Sequence, residues 1–408
     1  MTQSEQEVLL ARLQQYPVAR YPVQHATTQF HLGSVLLHAG DSAAALDALV
    51  TARNIFSVAG MRLEQAKTTV QLGVALRTAG RLHEAAAAFT AAAAGLGTLD
   101  QPAEQAAASY NLGLVHQDRG DLQAAHAAWT EARELFLATH YPAQAAAAAR
   151  DHGGSLLAAG EAGQAIPLLE QAATLAESAS DLLGLGAAAN VLGLAYLAKD
   201  DPAAAIPALR RALAAFPRST RPGDYAMVKA NLALAYERAG DVARARTAAG
   251  QSLAIAHAAP LVRMQAQQVL ARLPGPADGD LLRVLDTEDH EQWAAVIREE
   301  VLRVGDLPDP ARRALLRAVF DGLLARSGAS YDLAEALLQV VLELPPRPYD
   351  LMVAAMVAAG AGRSEHDSDR LSTVFSSAMA RFAMPQWQRL AASLNAAATE
   401  AGLPAHWR

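Results

Sequence analysis

The chain has 408 residues, a formal net charge of −7 and no cysteine. Neither end carries a basic block, which argues against affinity built on neutralising a nucleic-acid backbone. The missing thiols exclude disulfides, thiolate metal sites and cysteine nucleophiles. Hydrophobic residues make up 52% of the chain and aromatics only 5%, so the core is built largely from Ala and Leu and an all-α fold is expected.

Residues 1–20 are expected to form a capping helix. The opening Met1-Thr2-Gln3-Ser4-Glu5-Gln6-Glu7 lacks the cationic-then-apolar order of a signal peptide. No uncharged apolar stretch of about 18 residues appears. A cytoplasmic protein with no membrane partner is therefore expected.

From Tyr21 the chain repeats itself. Gly33, Gly73, Gly113, Gly153 and Gly193 fall 40 residues apart, with Ala233 in the sixth place. Gly40, Gly80, Gly120, Gly160, Asp200 and Gly240 follow them, and Ala45, Ala85, Ala125, Ala165, Ala205 and Ala245 fill a third slot. A fixed period of this length marks a solenoid, which makes an extended surface rather than a closed pocket. Each copy is predicted as helix A, turn, helix B. In the third copy helix A runs roughly from Ala103 to Arg119, Gly120 takes the left-handed place and Asp121 caps helix B. Helix B carries a stripe of Leu49, Phe89, Trp129, Leu169, Leu209 and Ala249, extended by Phe56, Leu96, Phe136, Ala176, Phe216 and Ala256. Pro167 and Pro207 sit inside two B helices, where each removes a backbone donor.

Leu112-Gly113, Gly120-Asp121, Ala125, Trp129 and Ala132 resemble the tetratricopeptide repeat. That repeat is usually about 34 residues long. The added length of under two turns lengthens both helices rather than inserting a loop. The long form is similar to that of kinesin light chains, Pins-type spindle adaptors and bacterial signalling regulators. HEAT and armadillo repeats have similar periods but lack this frame. The resemblance covers roughly Tyr21 to Ala259 and implies a right-handed superhelix of six helix-turn-helix repeats.

The resemblance further implies that helix A lines a concave groove and that the residue before the Leu-Gly pair points into it. This column reads His31, Gln71, Asn111, Asp151, Val191 and Asn231. In such adaptors an Asn here clamps the backbone of an extended peptide, and a neutral amide can both donate and accept. A second column runs Thr27, Lys67, Ala107, Ala147, Ala187 and Met227, and a third Leu37, Arg77, Gln117, Leu157, Leu197 and Glu237. The expected partner-binding set is His31, Lys67, Gln71, Arg77, Asn111, Gln117, Asp151, Asn231 and Glu237, with Lys67 and Arg77 making the N-terminal end basic. The plainer alternative is a solvated helix face.

The fourth copy departs from the frame. His152 stands where other copies have Leu, and Gly154 adds a second helix-weakening residue beside Gly153, a candidate hinge. His116, His126 and His152 could approach one another, but no ligand pair at diagnostic spacing supports a metal site. His152 is expected to cap Asp151 or pack beside Tyr110.

Residues 260–273 are predicted as a closing helix, 274–276 as a linker and 277–408 as a helical bundle of no recognised family. Its helices are placed at His290–Val304, Asp309–Arg326, Tyr331–Leu344, Pro348–Ala361, Ser368–Phe382 and Pro385–Ala401. Asp306-Leu307-Pro308-Asp309 reads as a linker ending in an N-cap, Pro345-Pro346-Arg347-Pro348 as a hard stop, and Trp293, Trp387 and Trp407 as bundle residues. No phosphate loop, His-Glu-x-x-His or Gly-x-Ser-x-Gly motif is present. No cofactor, metal or catalytic residue is expected. The function expected is a non-catalytic scaffold that binds a peptide or helical segment in the groove. A peptide-responsive switch is the alternative, and a helical-repeat enzyme of unknown reaction the second alternative.

Overall fold

From Pro22 to Ala198 every helix has seventeen residues and every joint three, so the period of 40 is shared equally between the two helices. In the computed structural model the structure describes residues 2–274, 280–286, 293–294, 296–298, 300–301, 307–325 and 330–403. All regular structure among these is helical. Residues 275–276 of the expected linker, most of the helix placed at 290–304, Asp306 and Trp407 lie outside the described residues. The chain divides into two compact units, Met1–Ala215 and Phe216–Arg408.

The first unit opens with α1 (Thr2–Gln15). Five A helices follow: α2 (Pro22–His38), α4 (Arg62–Thr78), α6 (Pro102–Asp118), α8 (Pro142–Ala158) and α10 (Leu182–Ala198). They alternate with five B helices: α3 (Ser42–Val58), α5 (Leu82–Thr98), α7 (Leu122–Ala138), α9 (Ala162–Ser178) and α11 (Pro202–Ala215). The expected lengthening of both helices is what the structure has, and α8 runs unbroken through Gly153 and Gly154.

The joints explain the regularity. At the first, Gly40 N–H donates to Leu37 O and Asp41 N–H to Leu36 O, which together close the carbonyl end of α2. Gly40 has φ +83°, a conformation open to Gly without steric cost. The Asp41 carboxylate then accepts from Ala44 N–H, so one residue finishes one helix and caps the next. Asp121, Asp201 and Asp241 do the same. The B-to-A joints use an equivalent turn with Gly60, Asp100, His140 and Ser180 at positive φ. A left-handed residue therefore recurs at both kinds of joint, and the sequence pattern exposes only one kind.

Two joints differ, and they match each other. α1 and α11 are each 14 residues long and end before Pro17 and Pro217, which cannot continue a helix. Tyr21 N–H bonds back to the carbonyl of Pro17, and Arg221 N–H to that of Pro217. α1 thus stands in the register of a B helix, as the second half of an incomplete repeat.

Packing between helices A and B rests on one contact. A Cβ placed on Gly33, Gly73, Gly113, Gly153 or Gly193 would fall 2.5–2.7 Å from Leu49, Phe89, Trp129, Leu169 or Leu209, always at the same offset along the chain. The large B-helix side chain lies flat on the glycine's backbone. In the sixth copy Ala233 and Ala249 hold these two places, so a larger residue on one side goes with a smaller one on the other. All six Ala of the third slot are fully buried.

The second unit contains α12 (Pro222–Arg238), α13 (Val242–Leu253), the closing helix α14 (Pro260–Arg272) and the short α15 (Asp280–Asp286). Then come α16 (Asp309–Ala325), α17 (Ser330–Leu342), α18 (Pro346–Gly360), α19 (Glu365–Met379) and α20 (Met384–Glu400). α16 to α20 share one core that includes Leu316, Phe320, Leu337, Met356, Phe375 and Leu394. Trp387 packs against this core and Trp293 is buried in it. α18 begins at Pro346, ahead of the Pro348 start that the sequence suggested, because both prolines fit a first turn, whose N–H groups need no partner. α19 begins earlier than expected because Ser364 caps it through Asp367 N–H.

Candidate protein-binding face

Within the first unit, α2 touches α4, α4 touches α6, and α8 touches α10, to an extent that no pair of successive B helices matches. The stack therefore curves towards its A helices, the helices that carry the sequence columns.

The inner face is cross-linked from repeat to repeat. Lys67 Nζ lies 3.0 Å from Glu104 Oε1, and Arg77 Nε donates to Asp118 Oδ2 at 2.6 Å. The hydrogen bond from Lys67 holds Glu104 below the usual carboxylate range. Tyr110 donates its hydroxyl to Asp151 Oδ2 at 2.6 Å, while Arg150 reaches Asp151 Oδ1 at 2.7 Å. Burial pushes the Tyr110 hydroxyl up, and the Asp151 charge adds to it. The expected basic end is thus corrected: Lys67 and Arg77 each meet a carboxylate of the next repeat, and the face is close to neutral. Partly exposed pairs of this kind contribute at most about 1 kcal/mol each.

His31 and Gln117 are exposed, and Gln71 and Asn111 are half-buried. Asn111 donates one amide hydrogen to Ala107 O at 2.8 Å, which fixes its orientation along its own helix. Val191 packs towards Gly154, whose Cβ would lie 4.0 Å from Val191 Cγ1, so the polar ladder ends where α8 and α10 close together.

Two expected residues fall away. Asn231 is 4% exposed, and its Oδ1 accepts from Gln265 Nε2 of α14 at 2.9 Å. Glu237 takes two bonds of 2.6 Å from Arg272, also on α14. The closing helix satisfies both groups, so neither is a solvent-facing contact. The bridging partners Glu104, Asp118 and Tyr110 escaped the sequence analysis. Their signal was available, since Arg77/Asp118 and Tyr110/Asp151 are each 41 residues apart, one period plus one.

His126 and His152 come together, and His116 does not join them. His126 and His152 lie with ring centroids 4.6 Å apart and planes tilted by 30°, and each lies 6.4 Å from the Trp129 ring. His126 Nε2 pairs with the buried Ser155 Oγ at 3.0 Å. His116 sits instead beside Asp121. His152 therefore neither caps Asp151 nor packs on Tyr110; it joins an aromatic cluster between α7 and α8. No group of three or more His, Asp or Glu suited to a metal occurs among the described residues. No described helix is long and apolar enough to cross a membrane.

Family models described as tetratricopeptide repeat match residues 144–218, and residues 70–125 and 190–260. These residues are tetratricopeptide repeats. Tetratricopeptide repeats generally mediate protein–protein interaction, typically as non-catalytic scaffolds. Among solved structures, the chain is similar to BtubC from P. vanneervenii, with 14% identity over 62% of this chain and 95% of that one and a TM-score of 0.44. It is similar to a putative kinesin light chain with nearly identical TPR-like repeats from Podosopora anserina, with 18% identity, coverages of 48% and 96%, and a TM-score of 0.42. The apo form of RapI gives 13% identity, coverages of 88% and 99%, and a TM-score of 0.48. No curated protein matches the chain.

Proposed function

We propose that the inner face of the first unit, from His31 to Asp151, binds an extended segment of a protein partner. The observation that carries this is the pairing of charges around the amide column. With Lys67, Arg77 and Arg150 each meeting a carboxylate, the face offers a ligand little net charge. What remains along successive A helices is His31, Gln71 and Asn111, groups that donate and accept as a peptide bond does. Such a surface suits recognition of backbone together with mixed side chains, and does not suit a polyanion.

The test compares affinity capture from native cell extract by the parent and by the Gln71→Ala/Asn111→Ala variant. Partner recovery is expected to fall about 5- to 100-fold, as two lost hydrogen bonds imply. Unchanged recovery by a folded variant would overturn the assignment.

A further inference from the structure

The bundle of the second unit carries a half-open cavity of about 220 Å³ between α16, α18, α19 and α20. Its walls include Phe320, Met356, Leu371, Phe375 and Leu394, none more than 5% exposed. Protein interiors are close-packed, and voids larger than a water molecule are few. This space is left open by small residues: Gly360, Ala361 and Ala398 line it, and a Cβ on Gly360 would make only an ordinary contact, 3.9 Å from Phe320.

The chemistry of the walls selects an occupant. A buried water needs two to four polar partners, whereas an apolar cavity of about 150 Å³ stays dry and takes up benzene. Among the described residues no charged side chain lines the space, and the side-chain hydroxyls are those of Ser368 and Ser372. They lie one turn apart on the solvent side of α19, Ser368 exposed and Ser372 half-buried. Phe320 and Phe375 meet edge to face at 5.2 Å, and Met356 adds a polarisable thioether. Aromatic edges and thioethers favour an aromatic guest.

We propose that this cavity binds a neutral aromatic molecule of one ring or two fused rings, carrying one hydrogen-bonding group that meets Ser372 at the mouth. The site is independent of the inner face of the array.

Indole is the probe, used with the full chain carrying labelled methionine methyl groups. Eight methionines make the spectrum tractable, and Met356→Leu assigns the wall residue. Indole is expected to move the Met356 methyl resonance saturably and to raise the thermal midpoint. Ser372→Ala should weaken indole binding roughly two- to tenfold, the usual net effect of one hydrogen bond, and leave toluene binding unchanged. Ser372→Phe should fill the mouth and abolish both, with Ser368→Phe as the second blocking variant if the first does not fold. A Met356 resonance that stays still at saturating indole, or a shift that survives in a folded blocked variant, overturns the proposal. Equal weakening of indole and toluene by Ser372→Ala overturns the role of the hydroxyl.

Discussion

A Cβ on Gly113 would stand 2.5 Å from Nε1 of Trp129, closer than any real side chain approaches. Gly113 is therefore the surface on which Trp129 rests, and the indole N–H has no hydrogen-bond partner among the described residues because it faces that backbone. Replacing Gly113 by Ala is expected to cost about 1–3 kcal/mol through overpacking, despite the better helix propensity of Ala. In a Trp129→Ala background the same change should cost nearly nothing, as the Ala233 and Ala249 pairing suggests. Urea melts of the four proteins in this cycle give the coupling energy. Additive costs would show that the two residues do not share one contact.

Gly154 supplies the contrast. It lies inside α8, and a Cβ there would have 4.0 Å to its nearest neighbour, Val191 Cγ1. Gly154→Ala should stabilise the protein by about 0.5–1 kcal/mol, since only the entropic cost of Gly is removed. A destabilised Gly154→Ala protein in the same melts would mean that α8 and α10 pack more tightly than the structure has them.

Ala125 is fully buried where α7 approaches α6. Ala125→Leu is expected to cost about 1–3 kcal/mol. Repeats are stabilised through their neighbours, so a central lesion should separate unfolding into two transitions, seen as Trp129 fluorescence and circular dichroism ceasing to coincide. A single transition at the parent's midpoint would place this residue outside the helix crossing.

Acid should act at the packed contact between α7 and α8. Burial, with His126 and Arg133 adding to it, pulls His152 down to about 4. The unfolded chain protonates near the ordinary value of about 6.5. Above that pH both states are neutral here and the position costs nothing. As the pH falls from about 6.5 towards 4, the unfolded chain takes up a proton that the folded chain refuses, and stability is lost. His152→Leu, which restores the residue of Leu32, Leu72, Leu112, Leu192 and Leu232, should reduce that loss, leaving the smaller share of His126, whose value burial also lowers. Urea midpoints at pH 7.5, 6 and 5 test this; parallel loss in parent and variant would contradict it.

The array was legible because its joints demand special residues. Gly40 and Asp41 each answer a geometric requirement, and that requirement returns in every repeat. The B-to-A joints make the same demand, yet Gly60, Asp100, His140 and Ser180 meet it with four residue types, so no letter repeats. The columns followed from the resemblance, but the partners of each side chain did not. Asn231 reads like Asn111 in sequence, yet it is buried and hydrogen-bonded to Gln265 of α14, which lies outside the repeating frame. In the bundle, prolines marked helix ends to within a few residues, while the seven residues of α15 were too short to show a period.

The central claim is that partners meet the array on the inner face of its first unit. A photo-crosslinking amino acid placed at the exposed inner positions His31 and Gln117, and separately at the exposed B-helix positions Ala91 and Ala127, tests it in the native cell whatever the partner's identity. Protein adducts are expected from His31 and Gln117 and not from Ala91 or Ala127, with the inner adducts lost in the Gln71→Ala/Asn111→Ala background. Adducts that form only from the B-helix positions, or equally from both faces, would contradict the claim.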